Sequence, residues 1–361
     1  MRKVVECFSR LSCLSVRETF DIDYFRYLYD DLGLDTVMKM AKQSKILPFI
    51  ANSCVICEKD AETWYPIYCE YKKRNNQVVS GLDVIYQEFE AKGVKKVFLS
   101  ENFGALLASG GDLALFASGD VDNCAEISES ELISEIMKSL GFKEERRYSG
   151  NLYISAEYSN PEILPKGFDF GIQWEPLARL TLPSLIHLDD FVDWNRLGKY
   201  TKTSIKLPPL DALMYICLLH ISLHSFCRAP GVRLYRDLVN CSKVLEENDW
   251  KTVLSWTQKY KTYSRLSTAA YIGSKIAELS IPEEMLKKKK QKLIDVVFNE
   301  SLGILKKEPG KLRVLLIESL CNDSSVKDGI KEILFPDKEW SMKVYGKTGF
   351  PARLKHLLHI L

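Results

Sequence analysis

Two stretches decide how this chain is read: SGDVDN at 118–123 and GFDFGIQW at 167–174. In an extended strand alternate side chains share a face, so Asp120 and Asp122 are expected to present their carboxylates side by side. Like charges at that spacing repel unless a cation stands between them. The second stretch also reads as a strand and carries a third acid, Asp169. Three carboxylates on adjacent strands are the donor set that a two-metal phosphoryl or nucleotidyl transfer requires. Hard oxygen ligands with room for water and phosphate suit Mg²⁺ or Mn²⁺. An Asp-x-Asp pair also occurs in solvated turns, so spacing alone leaves both readings open.

The flanking segments give the pair a context. KKVFLS (95–100) is a short apolar run of buried-strand type, and ENFGALLASG (101–110) follows as a short helix for which Ser100 is the expected N-cap. LALFASGDVDNCAEI (113–127) reads as one or two strands, and SESELISEIMKSLGF (128–142) as an amphipathic helix ending at Gly141. Before this block, 1–93 is helical in pattern: Val78, Leu82, Ile85, Tyr86 and Phe89 form one stripe, closed by Gly93. After it, PPLDALMYICLLHISLHSF (208–226) opens a second helical region with prolines suited to a first turn. The expected organisation is therefore a helical region at 1–93, an α+β core at 94–200 and a helical domain at 201–361.

Bulk properties narrow the function. A formal charge of +2 over 361 residues implies no large basic surface, so nucleic acid is not expected as an obligate partner. The lysine run KKKKQK (287–292) reads either as a solvated helix end or as a small basic patch. No segment approaches the ~18 consecutive apolar residues of a membrane span, and the start carries no secretory pattern. The ten cysteines are scattered, several within apolar helical runs, which fits reduced thiols and a cytoplasmic protein.

The order of segments resembles the uncharacterised nucleotidyltransferase family of the polymerase β-like superfamily. The matching text is KKVFLSENFGALL (95–107), SGDVDN (118–123), ISEIMKSLGFK (133–143) and FDFGIQW (168–174). It continues with LPPLDALMYICLLHISLH (207–224), RLYRDLVNC (233–241) and NDWKTVLSW (248–256). The resemblance implies an α+β fold: a small nucleotidyltransferase sheet flanked by N-terminal helices and a C-terminal helical bundle. It implies Asp120, Asp122 and Asp169 as metal-binding and catalytic acids, with Ser100, Asn102, Ser118 and Gly119 beside the nucleotide. It further implies transfer of a nucleoside monophosphate from an NTP to a small-molecule, peptide or protein acceptor, with release of pyrophosphate.

The chain departs from that pattern in three places, one of them just after the acid pair, where the family's strand is apolar and this chain has Asn123, Cys124 and Ala125. The family has Lys-Gly after the first strand, where this chain has Ser100 and Glu101. It also has an arginine shortly before Gly-Asp-x-Asp, where this chain reads LALFAS (113–118). A lysine would meet phosphate charge and a glutamate would repel it. The alternative function is thus a degenerate member of the fold acting as a binding or scaffold module.

Two further groups carry double readings. His220 and His224 lie four apart on one helix, followed by Arg233 and Asp237; they either reach substrate over the active site or fasten helices to one another. The zinc-protease spacing is absent, because Ile221, Ser222 and Leu223 intervene. Cys54-x-x-Cys57, with Cys69 nearby, reads as a metal or redox pair or as ordinary packing.

Overall fold

The helix expected to close at Gly93 is the spine of the molecule. In the computed structural model, which describes residues 2–147, 155–175, 177, 185–224, 226, 231–286, 327, 330–331, 334–335 and 338–360, it is α5, Ala61–Lys92, with Gly93 at φ 84° as its C-cap. All five expected stripe residues are fully buried. Each such side chain contributes roughly 1.5–3 kcal/mol by leaving water.

The stripe packs on a five-stranded sheet made of β1 (Val97–Leu99), β2 (Asp120–Glu126), β3 (Lys143–Arg147), β4 (Ser155–Ser159) and β5 (Asp169–Glu175), in the order β1-β2-β5-β4-β3. β2 and β5 run parallel, and the remaining pairs are antiparallel. The period of two separates the faces. Val121 and Ala125 of β2, with Leu99, Phe170, Ile172 and Tyr158, join α5 and the helix α7 (Ser130–Ser139) in one apolar cluster. Phe98 and Cys124 point the other way, into a larger cluster built by helices from both ends of the chain.

Those helices are α1–α4 before α5 (Arg2–Val16, Ile22–Leu32, Leu34–Gln43 and Leu47–Ile56), and α8–α11 after the sheet (Leu210–Leu223, Tyr235–Ser242, Glu247–Lys259 and Tyr263–Ile276). Arg236 of α9 ties the two groups by donating from Nη1 to the carbonyls of Val16 at 3.0 Å and Arg17 at 2.7 Å. Between β1 and β2 lies α6 (Glu101–Ala108), which packs on α8 and α9. A short hairpin of β6 (Gly198–Lys199) and β7 (Lys206–Leu207) runs beside β1. Near the end, α12 (Lys338–Tyr345) and α13 (Phe350–Ile360) pack around Trp340 and Ala352. The lysine run at 287–292 lies outside the described residues. No described helix is long and apolar enough to cross a membrane.

Three local expectations are corrected. Residues 113–116 form a 3-10 turn (Leu113–Leu115) rather than strand. Asp112 accepts from the Ala114 N–H at 3.1 Å, and the Asn75 side chain of α5 donates to the carbonyls of Leu113 and Phe116 at 2.6 and 3.0 Å. The backbone polar groups are thereby satisfied without a ladder. Ser100 precedes α6 but makes no side-chain capping bond. The chain turns through a left-handed residue directly after it, Glu101 at φ 51°, and the Ser100 hydroxyl is buried without a partner. The α7 helix proper begins at Ser130, after a 3-10 turn at Ile127–Glu129.

Candidate active site

The parallel pairing of β2 and β5 sets Asp120 directly against Asp169, and Asp122 against Gly171. In-register residues of parallel strands share a face about 4.8 Å apart, and alternate residues of one strand share it too. The three acids therefore occupy one corner of the sheet, at the N-terminal ends of both strands. They sit at the edge of the apolar cover: Asp120 is exposed, while Asp122 and Asp169 are half-buried.

Local backbone geometry holds this corner open. The Asp169 N–H donates to the Gly119 carbonyl at 2.9 Å, which extends the ladder one step beyond the pair. A Cβ at position 119 would come within 2.9 Å of the Gly167 carbonyl, so the approach requires glycine. A Cβ at position 171 would lie 3.2 Å from the Asp122 carboxylate, so Gly171 leaves that side chain its space. Ser118 donates its hydroxyl to the Asp120 carboxylate, and the Asp122 carbonyl accepts from the Ser100 N–H at 2.9 Å.

Glu101 does not face the acids as a bare repelling charge. Its carboxylate, only 5% exposed, lies 3.0 Å from His220 Nδ1 and accepts from Gln173 Nε2 at 3.1 Å. One buried glutamate thus joins α6, β5 and α8. The His220 and His224 rings stand edge to face, with centroids 4.6 Å apart. Gln173 is a participant that the sequence reading missed, although the period of two from Asp169 through Gly171 places it on the acid face.

Behind the acids is a small cavity of about 10 Å³, room for roughly one water. Asn102, Ser118, Arg233, Asp237 and Asn240 line it. Burial pushes the Asp237 carboxyl up from 3.8 to about 8, with Glu101 adding to the effect and Arg233 and Arg236 opposing it. Arg236, the weaker of the two arginines in this effect, donates from its Nη1 to the Val16 and Arg17 carbonyls. Burial lowers the pKa of Arg233, which Asp237, Asp120 and Asp122 draw back up in that order. Of the expected residues, Asn102, Ser118, Arg233 and Asp237 line this cavity, Ser100 and Gly119 meet the acid strands through their backbone, and His220 meets Glu101 and His224 instead.

The cysteine pair behaves as packing. Cys54 and Cys57 are buried, and burial pushes both thiols up, away from the thiolate that metal or redox chemistry needs. Among the described residues, no group of three or more His, Cys, Asp or Glu side chains stands ready to hold a metal ion, the acid trio included. What the trio offers is its donor chemistry. Hard carboxylates on an open face share Mg²⁺ with phosphate oxygens and water, which fits the donors present here.

Fold and corner together define a nucleotidyltransferase-type domain: a mixed five-stranded sheet with acids at the ends of its central parallel pair. The chain belongs to the uncharacterised nucleotidyltransferase family, whose model matches residues 18–276, well over half of the sequence. No curated protein and no solved structure matches it.

Proposed function

We propose that the protein transfers a nucleoside monophosphate from an NTP to an acceptor hydroxyl, with Asp120, Asp122 and Asp169 holding Mg²⁺ or Mn²⁺. The observation that carries this reading is the in-register pairing of Asp120 with Asp169, with Asp122 on the same face. In the reaction the acceptor oxygen forms a bond to the α-phosphorus, the bond from that phosphorus to the oxygen bridging to the β-phosphate breaks, and pyrophosphate leaves. The divalent ion supplies charge neutralisation on the phosphates. Asp169, half-buried beside Asp120, orients the acceptor hydroxyl and takes its proton. Ser118 fixes the Asp120 carboxylate. Gly119 and Gly171 keep side chains out of the space beside the acids. The Glu101–His220 contact fastens the helical side over the sheet.

A thermal-shift screen of the ribonucleoside triphosphates with Mg²⁺ or Mn²⁺ tests the reading. A rise in melting temperature with at least one metal–NTP pair, lost in Asp122→Asn, is expected. The second reading, a non-catalytic binding module, is favoured by Glu101 in place of a phosphate-facing lysine. It requires that no metal–NTP pair stabilises the protein and that a captured partner binds the Asp120→Ala, Asp122→Ala double variant as well as it binds the wild type.

A further inference from the structure

The acid corner lacks a cation on its own strands, and the helical side places one there. Arg233 lies in the 3-10 turn Gly231–Leu234 that leads into α9; the residue is half-buried, and its Nε is shut off from solvent with no hydrogen-bond partner. It lines the small cavity together with Ser118 and Asn102, which flank the acid pair, and with Asp237 one helical turn on. Burial lowers its pKa, and the Asp120 and Asp122 carboxylates of the acid pair are among the groups that oppose this.

Two other arginines are near: Arg236 lines the same cavity and also has an unpartnered Nε, but both it and Arg74 direct donors to backbone carbonyls. Arg236 Nη1 binds the Val16 and Arg17 carbonyls. Arg74 donates to the Phe116 carbonyl at 3.2 Å and lies over the Tyr71 and Phe168 rings. A guanidinium N–H that is shut off from solvent and left free costs free energy unless something completes its hydrogen bond. Near a pair of carboxylates that bind a metal, a polyphosphate oxygen is the complementary acceptor, matching the planar donor fork of arginine.

Building on the nucleotidyltransferase reading, we propose that Arg233 is the triphosphate clamp of this protein: it donates to the β- and γ-phosphates from the helical side. The clamp replaces the lysine and arginine that the strand segments around 100 and 113–118 do not carry.

The test uses the full-length chain and two probes. Inorganic tripolyphosphate with Mg²⁺, titrated by calorimetry, reads the clamp without involving a base; Mn²⁺ alone, followed by electron paramagnetic resonance, reads the acids. Arg233→Met is expected to weaken tripolyphosphate binding by about tenfold or more, as loss of a charged hydrogen bond does, while Mn²⁺ binding is retained or strengthened. Arg233→Lys should recover part of the loss. Asp122→Asn should lose Mn²⁺. Retained Mn²⁺ binding also shows that the Arg233 variants are folded, and if Arg233→Met does not fold, Arg233→Lys and Arg233→Gln carry the comparison. If Arg233→Met binds tripolyphosphate as the wild type does while Asp122→Asn loses Mn²⁺, the clamp is overturned and the nucleotidyltransferase reading stands. If the wild type binds neither probe, that reading fails and the clamp fails with it.

Discussion

The two faces of the central sheet are built from alternate residues of the same strands, yet they obey opposite rules. On the α5 side the one polar side chain that β2 turns inward is satisfied inside the protein. Asn123, fully buried between Val121 and Ala125, donates to the Gly171 carbonyl at 3.0 Å and accepts from the Tyr86 hydroxyl at 2.7 Å. On the opposite side, one residue away, Asp120 and Asp122 bring like charges together at the edge of the apolar cover. One face supplies stability, and the other sacrifices some to hold groups that need an outside partner.

Paired substitutions break this contrast most sharply. Leu82→Ala, on the α5 side, should cost about 2–5 kcal/mol in denaturant unfolding, with transfer activity per folded molecule unchanged. Asp122→Asn should do the reverse. Nucleotidyl transfer falls by about a thousandfold or more, comparable to removing a preorganised charge contact. The melting temperature is expected to stay level or rise, because a repelling charge has gone.

The buried acid of the helical side sharpens the comparison through pH. Folded Asp237 keeps its proton up to about pH 8, whereas an unfolded aspartate releases it near 3.8. The folded state therefore binds more protons across that interval, and stability declines as pH rises from about 4 to about 8. One such group contributes at most about 1.4 kcal/mol per pH unit. Asp237→Asn should flatten the slope of unfolding free energy between pH 5 and pH 8. An unchanged slope would remove Asp237 as its source.

The smallest effect is at Ser100. Loss of a working N-cap costs about 1 kcal/mol, but the Ser100 hydroxyl is buried and unpartnered. Ser100→Ala should change stability by less than ~0.5 kcal/mol. A loss near 1 kcal/mol would show that the hydroxyl caps α6 in solution.

Much of this layout was legible because it depends on local pattern. The stripe from Val78 to Phe89 has helical spacing, Gly93 stops the helix, and the alternation in β2 and β5 fixes which side Asp120, Asp122 and Asp169 take. The strand character of 113–116 was misread because its backbone is satisfied by Asn75, nearly 40 residues earlier in the chain. The Glu101 cluster was equally hidden. Its partners Gln173 and His220 come from a different strand and a different helix, and nothing local in ENFGALLA signals that its glutamate turns inward. Sequence pattern fixes the face on which a residue lies, but packing alone decides which distant residues meet it.

Anomalous diffraction from crystals grown with Mn²⁺ and a non-hydrolysable NTP tests the acid corner most directly. A manganese peak bonded to Asp120 and Asp122, with Asp169 on the same side and phosphate oxygens completing the coordination, is the expected result. Manganese bound elsewhere, with the three carboxylates contacting only protein and solvent, would contradict it.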